Sequence, residues 1–200
     1  NGIDRVVIDG ERRSLAIVSA GKAYLDVRQA LADLGLDEEA CRRLGIRLYK
    51  PGLIWPMDPV GLTRFAQGSQ AVLVVEEKRP VMEDQIARHL YALGADKRPA
   101  LAGKQDLKGA SLHSQVGELT VGKVRQAISI LLDQLGIDDA RVDTRCAAFS
   151  GLETRALLGR DEGAGADAAV VGRKGAAGAA PAPKSSSPRP TLSAPKPASR

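Results

Sequence analysis

Strands and helices that alternate along the chain predict an α/β fold, with a mostly parallel sheet between two layers of helices. Three observations carry this expectation. Ala71-Val72-Leu73-Val74-Val75 is an unbroken apolar run, the pattern of a strand buried on both faces. Glu76-Glu77-Lys78-Arg79 and Pro80 follow it at once, and a helical pattern then begins. Ser14-Leu15-Ala16-Ile17-Val18-Ser19 repeats the arrangement, with Ala20-Gly21-Lys22 ahead of the next helix. Both segments deliver polar residues to the carboxyl edge of a sheet, where open α/β sheets build their sites. Aromatic residues make up only 3% of the chain, so Val, Leu, Ile and Ala must form the core.

The elements follow in order. Asp4 to Asp9 reads as a short strand ahead of the charged turn Glu11-Arg12-Arg13. It is the expected antiparallel edge, since only a tight turn separates it from the strand Ser14–Ser19. A helix runs from about Ala23 to Leu34, with Leu25, Val27, Leu31 and Leu34 as its buried positions, and Gly35 ends it. Asp37 caps a short helix, Glu38 to Leu44, which Gly45 closes. Ile46 to Lys50 is the third strand. Pro51 and Pro56 stop it, because proline cannot donate to the ladder. Asp58 with Pro59 supplies the N-cap and first-turn proline of a helix to about Gln67. After the fourth strand, Val81, Met82, Ile86, Leu90 and Leu93 mark one helix face. Pro99 to Ala102 is a weak fifth strand. Residues 103–118 form a long loop, of the kind found at functional sites and domain interfaces. Thr120 caps a helix to Leu135, with Val121, Val124, Ile128, Leu131, Leu132 and Leu135 inward. Residues 140–158 are amphipathic.

The composition sets bounds on function. Two hundred residues suit one domain with chain to spare. Residues 1–160 read as that domain, and the Ala/Pro/Ser/Lys-rich residues 161–200 as a disordered linker. The chain opens on Asn1 and ends in this linker-like tail, the look of a segment from a longer polypeptide. The net charge of +5 belongs to the tail, where six basic residues past Gly163 face Asp167 alone; the body carries 23 basic and 23 acidic residues. A neutral body argues against nucleic-acid binding, and the tail has no aromatic residue for base stacking. No apolar run reaches the roughly 20 residues of a membrane span. Cys41 and Cys146 lack metal-ligand spacing. Free thiols without a secretion signal suit a cytoplasmic protein.

Three clusters qualify as sites. Backbone N–H groups at Ser19-Ala20-Gly21-Lys22 could hold an anion, with Ser19, Gly21 and Lys22 as its residues. No GxxxxGK[ST] or GxGxxG is present, and a helix terminus alone favours an anion by only about 0.3–1 kcal/mol; Ser19 as a cap and Gly21 as a turn residue is the structural alternative. Glu76-Glu77-Lys78-Arg79 with Glu83 could do acid/base chemistry. Alternatively, the two glutamates point to opposite faces and pair with Lys78, Arg79 or another domain. Trp55 could stack on a ligand or serve as a packing anchor. His89 and His113 are isolated. No nucleophile with an arranged base can be read, so no catalytic residue and no metal ligand is assigned.

The segments SAGKAYLDVRQAL, GIRLYKPGLIWPMDPVGL and VLVVEEKRPVMEDQ, with Gly117-Glu118-Leu119 before the last long helix, resemble the indolepyruvate:ferredoxin oxidoreductases. These are thiamine-diphosphate enzymes of the 2-oxoacid:ferredoxin oxidoreductase superfamily. The resemblance covers roughly residues 5 to 135 and points to the domain that is similar to the transketolase C-terminal domain. It implies a three-layer α/β/α sandwich with strand order 1-3-2-4-5 and strand one antiparallel. A crevice would then lie between Ser19–Lys22 and Glu76–Arg79. It also implies a parent enzyme that oxidatively decarboxylates aryl-pyruvates to acyl-CoA, using thiamine diphosphate, magnesium and iron–sulfur clusters and passing electrons to ferredoxin. The GDG…N motif and cluster cysteines are missing here, so no cofactor is assigned to this segment. Its implied role is to organise the thiamine-binding domains of the same chain, and a homodimer, through the carboxyl-edge residues Trp55, Glu76, Glu77, Lys78, Arg79 and Glu83 and the loop 103–118. The alternative is a module that binds an anion such as coenzyme A at the crevice.

Overall fold

The computed structural model describes residues 2–112, 117–149 and 151. Five strands form one sheet in the order β1-β3-β2-β4-β5: β1 (Arg5–Ile8), β2 (Leu15–Ser19), β3 (Ile46–Lys50), β4 (Ala71–Val75) and β5 (Ala100–Ala102). β1 runs antiparallel to β3, and every other pairing is parallel. Order and direction are those the resemblance implies. β2 and β4 are buried at every position, as unbroken apolar runs require of central parallel strands.

The side chains of β2 and β4 alternate between two cores. Leu15, Ile17, Leu73 and Val75 face one core, with α1 (Gly21–Asp33), α2 (Glu38–Leu44) and α5 (Val121–Gln134) over them. Ala16, Val18, Val72 and Val74 face the other, under α3 (Pro59–Ala66) and α4 (Val81–Tyr91). From β2 the chain crosses by α1 and α2 to β3 on one side. It then returns by α3 to β4 on the other side of β2. The layer used changes with the direction of travel, so the loops leaving β2 and β4 turn to opposite faces and leave a crevice between them.

Local chemistry sets the helix ends. The Asp37 carboxylate accepts from the Ala40 N–H at 2.8 Å, and Gly45 closes α2 at φ 79°. An alanine Cβ at Gly45 would lie 2.8 Å from the Ser14 nitrogen. Asp58 caps α3 through the N–H groups of Val60 and Gly61, and Thr120 caps α5 through that of Lys123. Residues 140–149 are also helical.

Several expectations need correction. α1 begins at Gly21, two residues before the expected start, and its N-cap is Ala20 with no side-chain cap bond. Ser19 is therefore not the cap. It sits at the end of β2, where its hydroxyl donates to the Val75 carbonyl at 2.8 Å. Leu25 is 63% exposed. The buried stripe of α1 is Ala23, Val27, Ala30, Leu31 and Leu34, and a residue two positions from Ala23 and from Val27 faces the opposite side. Val81, the first residue of α4, is exposed at the crevice while Met82, Ile86 and Leu90 carry the packing. Val121 and Leu135 are only partly buried, at the two ends of α5. The fifth strand starts at Ala100 rather than Pro99. The loop after β5 is shaped by a bridge between Gln105 and Ser111 and by Asp106, whose carboxylate accepts from the N–H groups of Lys108 and Ala110. His113, most of residues 150–160 and the tail lie outside the described residues.

Candidate functional site

Parallel β2, β3 and β4 all end at one edge of the sheet, so Ala20–Lys22, Pro51–Ile54 and Glu76–Arg79 gather there. β1 runs the other way. Its beginning, at Ile3 and Arg5, therefore joins the same edge, with Arg5 opposite Lys50. Together these segments enclose a crevice of about 1200 Å³. Gly21, Lys22 and Glu76–Arg79 line it, as the sequence implies, but Ser19 does not. The Ser19 hydroxyl is fully buried and ties β2 to β4 beneath the crevice.

Lys22 is held among acidic groups. Its ammonium donates to Asp26 Oδ2 and to the Leu119 carbonyl, each at 3.0 Å. It lies 3.5 Å from Glu77 and 3.3 Å from Glu118. The hydrogen bond to Asp26 raises its pKa first, with Glu118 assisting. A lysine ringed by carboxylates is a poor anion ligand. It serves instead as a latch joining α1, the turn after β4 and the segment that enters α5.

The two glutamates part company. Glu77 is exposed and faces Lys22. Glu76 is 8% exposed, and its carboxylate accepts from the N–H groups of Met82 at 2.8 Å and Glu83 at 3.0 Å. Those are orphan donors of the first turn of α4, which has no other side-chain cap. The expected pairing with Lys78 or Arg79 is absent among the described residues: Glu76 caps a helix and Glu77 meets Lys22. Burial raises the Glu76 pKa, opposed by the two N–H bonds and by Lys104. Desolvation, rather than the adjacent Glu77, shifts it.

Lys104, unmarked by the sequence reading, completes this wall. Its ammonium donates to the Glu76 carbonyl at 2.7 Å, and its N–H to Glu83 at 2.9 Å. Burial lowers its pKa against the pull of Glu76 and Glu83. The signal available was its place just past β5, beside the end of β4. Glu83 packs over Gly103, where a Cβ would stand 2.3 Å from the carboxyl carbon.

The outer rim differs. Trp55 is 65% exposed, which overturns the packing-anchor reading. The proline-bounded loop projects from the edge and turns Leu53, Ile54 and Trp55 outward. Ile3 and Val81 are exposed beside them. Five of the nine large apolar side chains exposed among the described residues thus collect at this edge. Arg5, Lys78 and Arg79 are exposed there too, Lys78 at a φ of 55°. Lys50 lies over the Tyr24 ring at 4.8 Å.

The described residues offer no group of three His, Cys, Asp or Glu able to hold a metal ion. Cys41 is buried, and its thiol is pushed up to about 12, mainly by burial. It is not disposed to act as a thiolate ligand or nucleophile. His89 lies on α4, away from the crevice lining. No helix of the described residues is long and apolar enough to cross a membrane.

Residues 4–126 match the family model described as the indolepyruvate ferredoxin oxidoreductase middle domain. The chain is similar to the indolepyruvate oxidoreductase subunit IorA of Pyrococcus abyssi, 30% identical over 61% of this chain and 16% of that protein. It is likewise similar to IorA of Thermococcus kodakarensis, 29% identical over 68% of this chain and 19% of the relative. With IorA of Methanothermobacter marburgensis it shares 32% identity over 64% of this chain and 18% of the relative. The chain thus spans less than a fifth of the length of these relatives. Among solved structures, a split-gene transketolase in an inactive β4 tetramer aligns with a TM-score of 0.45 and 20% identity, over 65% of this chain and 41% of the other. The 2-oxoglutarate:ferredoxin oxidoreductase of Magnetococcus marinus aligns with a TM-score of 0.43 and 17% identity, over 64% and 19%.

Proposed function

Since this chain belongs to the indolepyruvate ferredoxin oxidoreductase middle-domain family, we propose that it is the architectural domain of a larger 2-oxoacid:ferredoxin oxidoreductase. In this reading residues 1–160 are the domain, and 161–200 connect it to the next part of the polypeptide. The carboxyl edge docks the thiamine-binding domains and helps to organise a homodimer. In this reading thiamine diphosphate, magnesium and iron–sulfur clusters reside in those neighbours. The parent reaction is oxidative decarboxylation of an aryl-pyruvate to its acyl-CoA, with ferredoxin as the electron acceptor.

One observation carries the proposal. The exposed large apolar side chains concentrate at the edge where Lys78 and Arg79 also stand. Exposed apolar groups in one place mark a surface that another surface covers, and tryptophan and arginine are frequent anchors of such contacts. The interior of the crevice favours docking over an anion module for coenzyme A. Ser19 is spent on Val75, Lys22 on three carboxylates, and the N–H groups at the start of α4 on Glu76.

Co-purification of the assembled enzyme carrying Lys78→Ala/Arg79→Ala tests this. Assembly should weaken while the urea midpoint of the isolated chain changes little. Equal loss of both would make the pair internal scaffolding. The 200-residue chain alone should show no thiamine-dependent decarboxylation, and turnover there would place the chemistry on this domain.

A further inference from the structure

The crevice rim combines two chemistries that water separates only while the edge is open. Ile3, Leu53, Ile54 and Val81 form its apolar side, and Trp55 follows directly. Arg5, Lys78 and Arg79 stand exposed among them, without an ion-pair partner among the described residues. Exposed cations cost nothing in solvent. A surface that covers the apolar groups also takes water from the cations, and an unpaired desolvated charge is strongly unfavourable. The covering surface must therefore bring its own carboxylates.

Building on the docking reading, we propose that the crevice receives a protein segment in which an apolar side chain is flanked by Asp or Glu. The apolar anchor enters between Leu53 and Val81, and its carboxylates meet Arg5, Lys78 and Arg79. Past Gly163 the tail carries six basic residues and one acidic residue, the opposite of the charge that the rim calls for. The inner acidic groups do not compete for the anchor's place. Glu76 is sequestered as the α4 cap, and Glu77 is held by Lys22.

Trp55, the only tryptophan of the chain, is a built-in reporter at the rim. The 200-residue chain is titrated with three tryptophan-free peptides: alternating leucine and glutamate, alternating leucine and lysine, and alternating serine and glutamate. Coenzyme A and pyrophosphate form a further arm. The leucine–glutamate peptide should shift the Trp55 emission and shield it from acrylamide, while the other two peptides should not. Lys78→Glu/Arg79→Glu should weaken that binding by about tenfold, and Arg88→Glu, on α4 away from the crevice, should leave it unchanged. Equal binding of the leucine–lysine peptide would overturn the proposal in favour of a purely apolar surface. Displacement of the peptide by coenzyme A or pyrophosphate at lower concentration would overturn it in favour of a small-anion site. No binding of the leucine–glutamate peptide up to about 1 mM would also overturn it. Docking itself is judged separately, by whether the rim loops gain hydrogen-exchange protection in the longer polypeptide. The acidic-segment proposal can therefore fail while docking stands.

Discussion

Glu76 couples a buried charge to the start of α4. Its pKa is raised in the fold by burial, so between the ordinary glutamate range and that higher value the folded state holds a proton that the unfolded chain has released. Stability from this group is greatest below the ordinary range, falls as pH rises through the interval, and is level above it. Glu76→Gln, which cannot ionise, should flatten this part of the profile. Urea midpoints measured for both proteins from about pH 4 to 7 check it, and parallel profiles would contradict it. Glu76→Ala removes the acceptor for two N–H groups and should cost about 1–2 kcal/mol, as lost caps do.

Lys22 poses a different question, because half of its side chain is exposed. Replacing it with Met leaves Asp26, Glu77 and Glu118 facing each other without a cation. The expected effect is local, namely faster amide exchange at residues 118–121 and a loss that salt reduces. Unchanged exchange there would show that the latch holds nothing. Neither role was legible from sequence. The pattern places Lys22 and Glu76 at strand ends. Only the fold brings Leu119 to Lys22 across 97 positions, or turns the Glu76 carboxylate back onto α4.

At the scale of elements, the hydrophobic pattern sufficed. Unbroken apolar runs located the central strands, and Asp37, Asp58 and Thr120 located three helix starts, because a cap bond forms within three residues of its donor. Misreadings fell where a neighbour decides. Leu25 is apolar but lies off the stripe that the other elements cover, and Trp55 sits on a loop that leaves it 65% exposed among the described residues. Two substitutions test the packing. Leu73→Ala, in the middle of the sheet at 0% exposure, should cost about 2–5 kcal/mol, read from denaturant unfolding. Gly103→Ala should cost about 1–3 kcal/mol by driving Glu83 from the Lys104 N–H. Most of that cost should disappear in a Glu83→Ala background, since the two changes share one contact. Additive losses would place the strain in the backbone instead.

For the whole molecule, strand order was legible only through resemblance. Alternating strands and helices permit several doubly wound orders, and composition does not choose among them. Once the order is fixed, the crevice follows, because the chain reverses direction at β2. What sequence could not separate was the inner wall of the crevice from its rim. Inside, Ser19 is bonded to Val75, Lys22 to Asp26, Leu119 and Glu77, Lys104 to Glu76, and Glu76 to the start of α4. Outside, Ile3, Leu53, Ile54, Trp55 and Val81 remain exposed beside Arg5, Lys78 and Arg79. An edge so divided is hydrogen-bonded beneath and exposed above, the arrangement that the docking proposal requires. Hydrogen exchange compared between the 200-residue chain and the longer polypeptide tests this most directly. Residues 52–55 and 77–81 should be protected in the longer polypeptide, while the outer faces of α3 and α4 exchange alike in both. Equal exchange of these loops in both proteins would show that the edge stays open to solvent and docks nothing.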